Sequence, residues 1–153
     1  MSRDYPTQPI IGILALVRRG DRFLLVRRAK PPNRGYWGFP GGVQELGETV
    51  LEAARRELAE ETAIEAADPR IFTALDAIER DEDGRIRYHY TLIVVAFDWL
   101  SGEGEAADDA EALGWFRIQD IETLPALPSV GSLILQALEA AQTLARHSAI
   151  AAG

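Results

Sequence analysis

Residues 35–64 read GYWGFPGGVQELGETVLEAARRELAEETAI, a glycine-rich turn that runs directly into a carboxylate-laden helix. Thr49 is a good N-cap and Glu52 lies three residues on, the spacing of a capping box. Leu51, Ala54 and Leu58 follow at i, i+3 and i+7, so one face of the helix is apolar and turns toward a core. Glu57, Glu60 and Glu61 stand at i, i+3 and i+4 and share a neighbouring face. Like charges at that spacing repel by only a few tenths of a kcal/mol per pair in water, about 0.2–0.5. A simply solvated acidic face is therefore one reading. Oxygen ligands clustered in this way are also what Mg²⁺ or Mn²⁺ requires. Gly41-Gly42 lets backbone approach them closely, and the Gly41 carbonyl can add a further oxygen. Arg56 is positioned to pair with Glu48 or Glu52 and hold the carboxylate face in place.

Upstream of this stretch, two aliphatic runs, Ile10 to Val17 and Arg22 to Val26, flank a Gly20-Asp21 turn and predict a hairpin. Arg27, Arg28 and Lys30 follow it, a basic cluster in an acidic chain. It reads either as a solvated strand end or as a phosphate clamp, for which a planar bidentate guanidinium is suited. Arg28 is preferred to Arg27 for that task. Tyr36, Trp37 and Phe39 lie between this cluster and the glycines, placed either to stack on a nucleobase or to pack in the core.

Downstream, Glu65 to Arg70 reads as a polar connection. Ile71 to Arg80 and Ile86 to Phe97 read as strands joined by the Asp81-Glu82-Asp83-Gly84 turn. His89, alone on the second of these, reads as a packed or surface residue. Ser101 to Ala112 is an acidic loop ahead of a short strand at Trp115-Phe116. Ser129 opens a last helix, Val130 to about Arg146, with Leu133, Ala137, Ala140 and Leu144 at helical spacing. The tail from Ser148 to Gly153 is expected to be loose. No repeat or linker interrupts the chain, so residues 1–153 form a single domain with a core over about 10–146 and loose termini.

A chain of 153 residues, 47% hydrophobic and 26% charged, can bury a substantial core. Its net charge of −8 argues against nucleic acid as a bulk electrostatic partner. That charge also repels phosphorylated substrates, a difficulty that divalent cations would remove locally. With no cysteine there is neither a disulfide framework nor a thiol nucleophile. No apolar signal segment opens the chain and no apolar run is long enough to cross a membrane, so a cytoplasmic location with no membrane partner is expected.

From Gly42, five residues lead to Glu48 and seven more to Arg56-Glu57-Leu58, followed by Glu60-Glu61, Ala63 and Ile64. This resembles the signature of the Nudix hydrolases, in which only Ala63 departs, standing where the family has glycine. The resemblance covers roughly Ile10 to Leu144 and implies an α/β fold, a mixed β-sheet sandwiched between α-helices. It implies hydrolysis, with Mg²⁺ (or Mn²⁺), of a nucleoside diphosphate linked to a second moiety. Glu57, Glu60 and Glu61 would be catalytic metal-binding residues beside Gly41, supported by Arg56 and Glu48. One of those glutamates, or the acidic loop, would act as general base. Arg28 or Arg27 would bind substrate with Trp37 and Phe39, and Glu111 or Asp109 would add a metal ligand. Asp120 to Leu124 resembles a short element that often follows in the family. A small ADP-ribose pyrophosphatase-like enzyme is the first implied reading. A sanitising nucleoside triphosphate pyrophosphohydrolase is the alternative, and a non-catalytic nucleotide sensor a more distant one. Homodimerisation is left open.

Overall fold

The computed structural model describes residues 3–31 and 33–152, and the side chains of 143–145 and 148–152 lie outside that description. Strand β1 (Ile10–Arg19) turns at Gly20-Asp21 into β2 (Arg22–Arg28), pairing Arg18 with Phe23 and Arg19 with Arg22, as the turn chemistry predicts. Two short strands follow, β3 (Trp37–Gly38) and β4 (Gly41–Val43). Helix α1 (Val50–Thr62) precedes the long hairpin β5 (Glu65–Arg80) and β6 (Ile86–Ser101). Strand β7 (Ala110–Phe116), a 3₁₀ turn at Ile118–Thr123 and helix α2 (Val130–Ala152) complete the chain.

The strands form one mixed sheet in the order β3-β2-β1-β6-β5, with β4 joined to β1 and β7 to β2. Among the strand pairs of the described residues, only β1–β6 is parallel. The central strands read as unbroken aliphatic runs because both of their faces are buried. Ile13, Ala15, Val17, Leu24, Val95 and Phe97 pack under Ala53, Ala54 and Leu58 of α1. Leu16, Phe23, Leu25 and Val94 face the other way, against Val130, Leu133 and Ile134 of α2. The α/β/α sandwich expected from the sequence is the architecture observed.

Several boundaries differ. Glu65 to Arg70 is not a connection but the start of β5, bulged between Ala67 and Arg70 where Asp68-Pro69 interrupts the ladder. An edge strand tolerates that proline because its outer N–H has no partner to lose. Strand β7 begins at Ala110, inside the segment expected to be loop, since β2 offers a register from Phe23↔Phe116 back to Arg28↔Ala110. The last helix runs on to Ala152, because no breaker stands among Ser148, Ala149, Ile150, Ala151 and Ala152. Its packing face carries Val130, Leu133, Ile134, Ala137 and Leu138. Ala140 is exposed, and the Leu144 side chain lies outside the described residues. The N-terminal segment is tied down as well: the Tyr5 N–H donates to the Arg87 carbonyl at 2.8 Å and its hydroxyl to Asp81 at 2.9 Å.

Candidate active site

Helix α1 starts as its sequence requires, with Thr49 Oγ1 accepting the Glu52 N–H at 3.1 Å. It ends at Ala63, which adopts the left-handed conformation at φ 55° and donates its N–H to the Ala59 carbonyl at 3.1 Å. Alanine therefore fills the place of the usual glycine cap and accepts the strain. The acidic loop satisfies two further carbonyls at this end of the helix. Ala107 donates to the Glu61 carbonyl at 2.9 Å and Glu105 to that of Thr62 at 2.8 Å.

The glycines are needed for close approach. Strand β4 lies against β1 with Gly41 opposite Leu14 and Gly42 opposite Ile13. A Cβ on Gly42 would stand 2.6 Å from Glu57 Oε2 and closer still to Cδ and Oε1. One on Gly41 would overlap the Ile13 carbonyl oxygen. The strand thus seats its bare backbone against the carboxylates of α1. The Gly41 N–H donates to Glu61 Oε2 at 3.4 Å.

Arg56 organises the rest. Its guanidinium grips Glu48 with both ends of the fork, at 2.6 and 2.9 Å, and donates to Glu57 Oε1 at 2.7 Å and to the Val43 carbonyl at 3.1 Å. A longer bond of 3.4 Å reaches Glu60. The expectation that Arg56 pairs with Glu48 or Glu52 resolves to Glu48, and it extends to two of the three clustered glutamates. The Arg56 guanidinium, helped by the Glu45 N–H, holds the Glu48 carboxyl down at about 2.

Glu61 is 7% exposed, an unusual place for a carboxylate. Burial, then the charges of Glu57 and Asp109, push its pKa up to about 8, against the Gly41 N–H and Arg28, which lower it. Burial also raises Glu57, against the pull of Arg56. Glu60 is exposed. A buried carboxylate beside a second one is costly unless a cation joins them. The donor set is all oxygen, as Mg²⁺ or Mn²⁺ prefers, so these residues fit a hard divalent ion. Among the described residues, no three acidic or imidazole side chains close into a cage. An open face of this kind suits Mg²⁺, which takes one or two carboxylates and leaves room for water and substrate phosphates.

The other sequence-derived candidates separate. Arg28 acts on the charge of Glu61 and stands on the carboxylate side. Arg27 donates to Glu111 at 2.7 Å and lies over Trp37, 5.7 Å from its ring centroid, so the two arginines serve different neighbours. Glu111 is held in that pair. Asp109, the alternative, binds Lys30 at 2.8 Å and is the loop carboxylate felt by Glu61. Trp37 is half-buried, edge-on to Phe116 with centroids 5.1 Å apart. Phe39, 7% exposed, sits in the core under α2, so nucleobase stacking on it is corrected to packing. Two features escaped the sequence reading: the Lys30–Asp109 pair and the clamp on the acidic loop. In that clamp Arg19 forks onto Glu103 at 2.8 and 3.0 Å and lies 3.9 Å over the Trp99 ring and 5.4 Å from that of Trp115. A strand-end arginine, two tryptophans and a loop glutamate far apart in sequence carry no local signal of such a contact.

The NUDIX domain model matches residues 6–137. The chain is 33% identical over 119 residues to an ADP-ribose pyrophosphatase of Methanocaldococcus jannaschii, a match spanning 78% of this chain and 66% of that protein. It is 32% identical over 120 residues to a putative 8-oxo-dGTP diphosphatase 2 of Mycobacterium tuberculosis, covering 76% of this chain and 81% of that one. A crystal structure of a MutT NUDIX hydrolase from Burkholderia pseudomallei superposes with a TM-score of 0.74 at 31% identity, over 84% of this chain and 98% of the other. With the signature helix, the glycine strand and the sandwich around them, these matches make the chain a member of the Nudix hydrolase family.

Proposed function

We propose that this chain hydrolyses the pyrophosphate bond of a nucleoside diphosphate linked to a second moiety, with ADP-ribose or a related nucleotide sugar as substrate. The observation that carries the reading is the buried Glu61 beside Glu57, with Gly42 bare against Glu57, the Gly41 N–H on Glu61 and Arg28 near enough to act on its charge. Glu57, Glu60 and Glu61 would hold Mg²⁺ or Mn²⁺ with the Gly41 carbonyl, and the acidic loop would add Asp109 or Glu111. When bound, the ion supplies charge neutralisation at the phosphates and a more acidic water.

The chain's own residues do the rest. Arg28 binds a phosphate through its planar fork. Water attacks one phosphorus, the bridging P–O bond breaks, and the proton of the water passes to a carboxylate of this face. Arg56 touches no substrate in this scheme: it fixes Glu57 and Glu48 so that the face is formed before substrate arrives. A cytoplasmic location accompanies the proposal, and no helix among the described residues is long and apolar enough to cross a membrane.

A nucleoside triphosphate is the second reading, favoured by the identity to the putative 8-oxo-dGTP diphosphatase. Product analysis separates the two. AMP and a sugar phosphate released from ADP-ribose support the first, whereas pyrophosphate released from a triphosphate at higher kcat/KM replaces it with the second. No release from either, with Mg²⁺ present, leaves a binding domain and overturns both.

A further inference from the structure

The sheet ends at β5, which pairs with β6 on one side and with no other strand among the described residues. Every second N–H and C=O along such an edge points outward, a template for another strand. The Asp68-Pro69 bulge blunts one end of it, but from Thr73 to Glu79 the ladder is regular. The irregularity between Ile71 and Thr73 has a consequence for the faces. Ile71 opposes Val95 and Ile78 opposes His89, an even separation on β6, so the two isoleucines share one face although they are seven residues apart. They are 61% and 51% exposed, and Ala74 and Asp76 between them are exposed too.

We propose that a second copy of this chain pairs with β5 edge to edge, antiparallel, about a twofold axis through Leu75. A twofold perpendicular to the sheet keeps each face on its own side, so paired residues must share a face. Axes through Ala74, Leu75 or Asp76 all satisfy this within the regular stretch, and the one through Leu75 also sets apolar against apolar and unlike charge against unlike charge. Leu75 opposes itself, Ala74 opposes Asp76 and Thr73 opposes Ala77. With Phe72 bulged out, Ile71 then opposes Ile78 and Arg70 opposes Glu79. Each isoleucine meets its counterpart's apolar side chain, and each arginine meets a glutamate, twice over by symmetry. Turning toward Glu79 requires Arg70 to give up exposed contacts, two of 3.3 Å to Asp98 and one of 2.9 Å to the Asp68 carbonyl. The match of β5 to its own reverse argues for a second copy of this chain over an unrelated strand. The two Asp76 side chains lie diagonally across the axis, a repulsion that sets the affinity.

The chain contains no cysteine, so Leu75→Cys places one thiol on the axis. Opposed Cα atoms of an antiparallel pair are about 4.5–5.5 Å apart, within disulfide reach. Mild oxidation of Leu75→Cys is expected to give a covalent dimer, whereas Gln136→Cys, exposed on α2, gives none. By sedimentation velocity the unmodified chain is expected to be a dimer. Ile78→Asp raises its dissociation constant at least about tenfold with kcat unchanged, and Asp76→Asn lowers it. A monomer throughout the micromolar range overturns the proposal. So does a dimer that ignores Ile78→Asp, or one that cross-links through Gln136→Cys in preference to Leu75→Cys.

Discussion

Gly42→Ala tests the seating of backbone against carboxylate. Gly42 is not among the glycines with positive φ, so alanine suits its backbone and should reduce unfolded-state entropy, a gain of about 0.4–1 kcal/mol. The three atoms nearest the added Cβ all belong to the Glu57 carboxyl, Oε2 at 2.6 Å and the carboxyl carbon closer, and a side-chain end can swing away. Its swing breaks the 2.7 Å bond from Arg56, a charged and partly exposed contact worth at most about 1.5–3 kcal/mol. The net loss of stability should stay within about 3 kcal/mol, while turnover falls at least about 100-fold because Glu57 has left its place. Gly41→Ala is the contrast: there the Cβ meets the Ile13 backbone, which cannot yield, and the fold itself should suffer. Urea midpoints at constant m-value and steady-state turnover on the same preparations give both readings. A folded Gly42→Ala protein with turnover within a few-fold of the parent would show that Glu57 does not need its place against β4.

Three more outcomes follow from the same geometry. Glu61 binds its proton more tightly folded than unfolded, so metal-free protein should lose stability as pH rises from about 4.5 and level off above about 8, by a few kcal/mol in all. Glu61→Gln should flatten that dependence in EDTA, and an equal slope in both proteins would contradict the assignment. Ala63→Gly relieves a left-handed alanine and should raise stability by about 0.5–1 kcal/mol with kcat/KM changed less than about threefold, and a lower urea midpoint would contradict it. Arg28→Lys should raise KM more than it lowers kcat, because a point charge replaces a fork, and unchanged kinetics would remove Arg28 from the substrate.

The site was legible where chemistry is local. Residues 42–64 announce their helix, its cap and its carboxylate face through spacing alone, and the hairpin turns are set by Gly20-Asp21 and by Asp81, whose Oδ1 accepts from Asp83 and Arg85 at 3.0 and 2.9 Å. What could not be read depended on partners distant in sequence. Glu65 to Arg70 looks like a connection until β6 supplies a ladder beside it, and Ala110 joins a strand only because β2 reaches that far. Phe39 and Trp37 look alike as aromatics near a site, and only α2, which begins at Val130, determines that Phe39 is buried while Trp37 packs half-buried against the same cluster. Glu111 and Asp109 differ by which cation lies opposite each, Arg27 or Lys30.

In the proposed reaction the carboxylate face of α1 is a divalent-metal centre for pyrophosphate hydrolysis. Titrating Mg²⁺ into EDTA-stripped protein, parent and Glu61→Gln side by side, while following product release from the best substrate, distinguishes this face from a merely acidic one. No turnover is expected before metal is added, then recovery on titration in the parent, and at least about a 100-fold deficit at every Mg²⁺ concentration in a variant that remains folded. Turnover that persists in EDTA, or a Glu61→Gln curve that overlies the parent, would contradict the metal assignment.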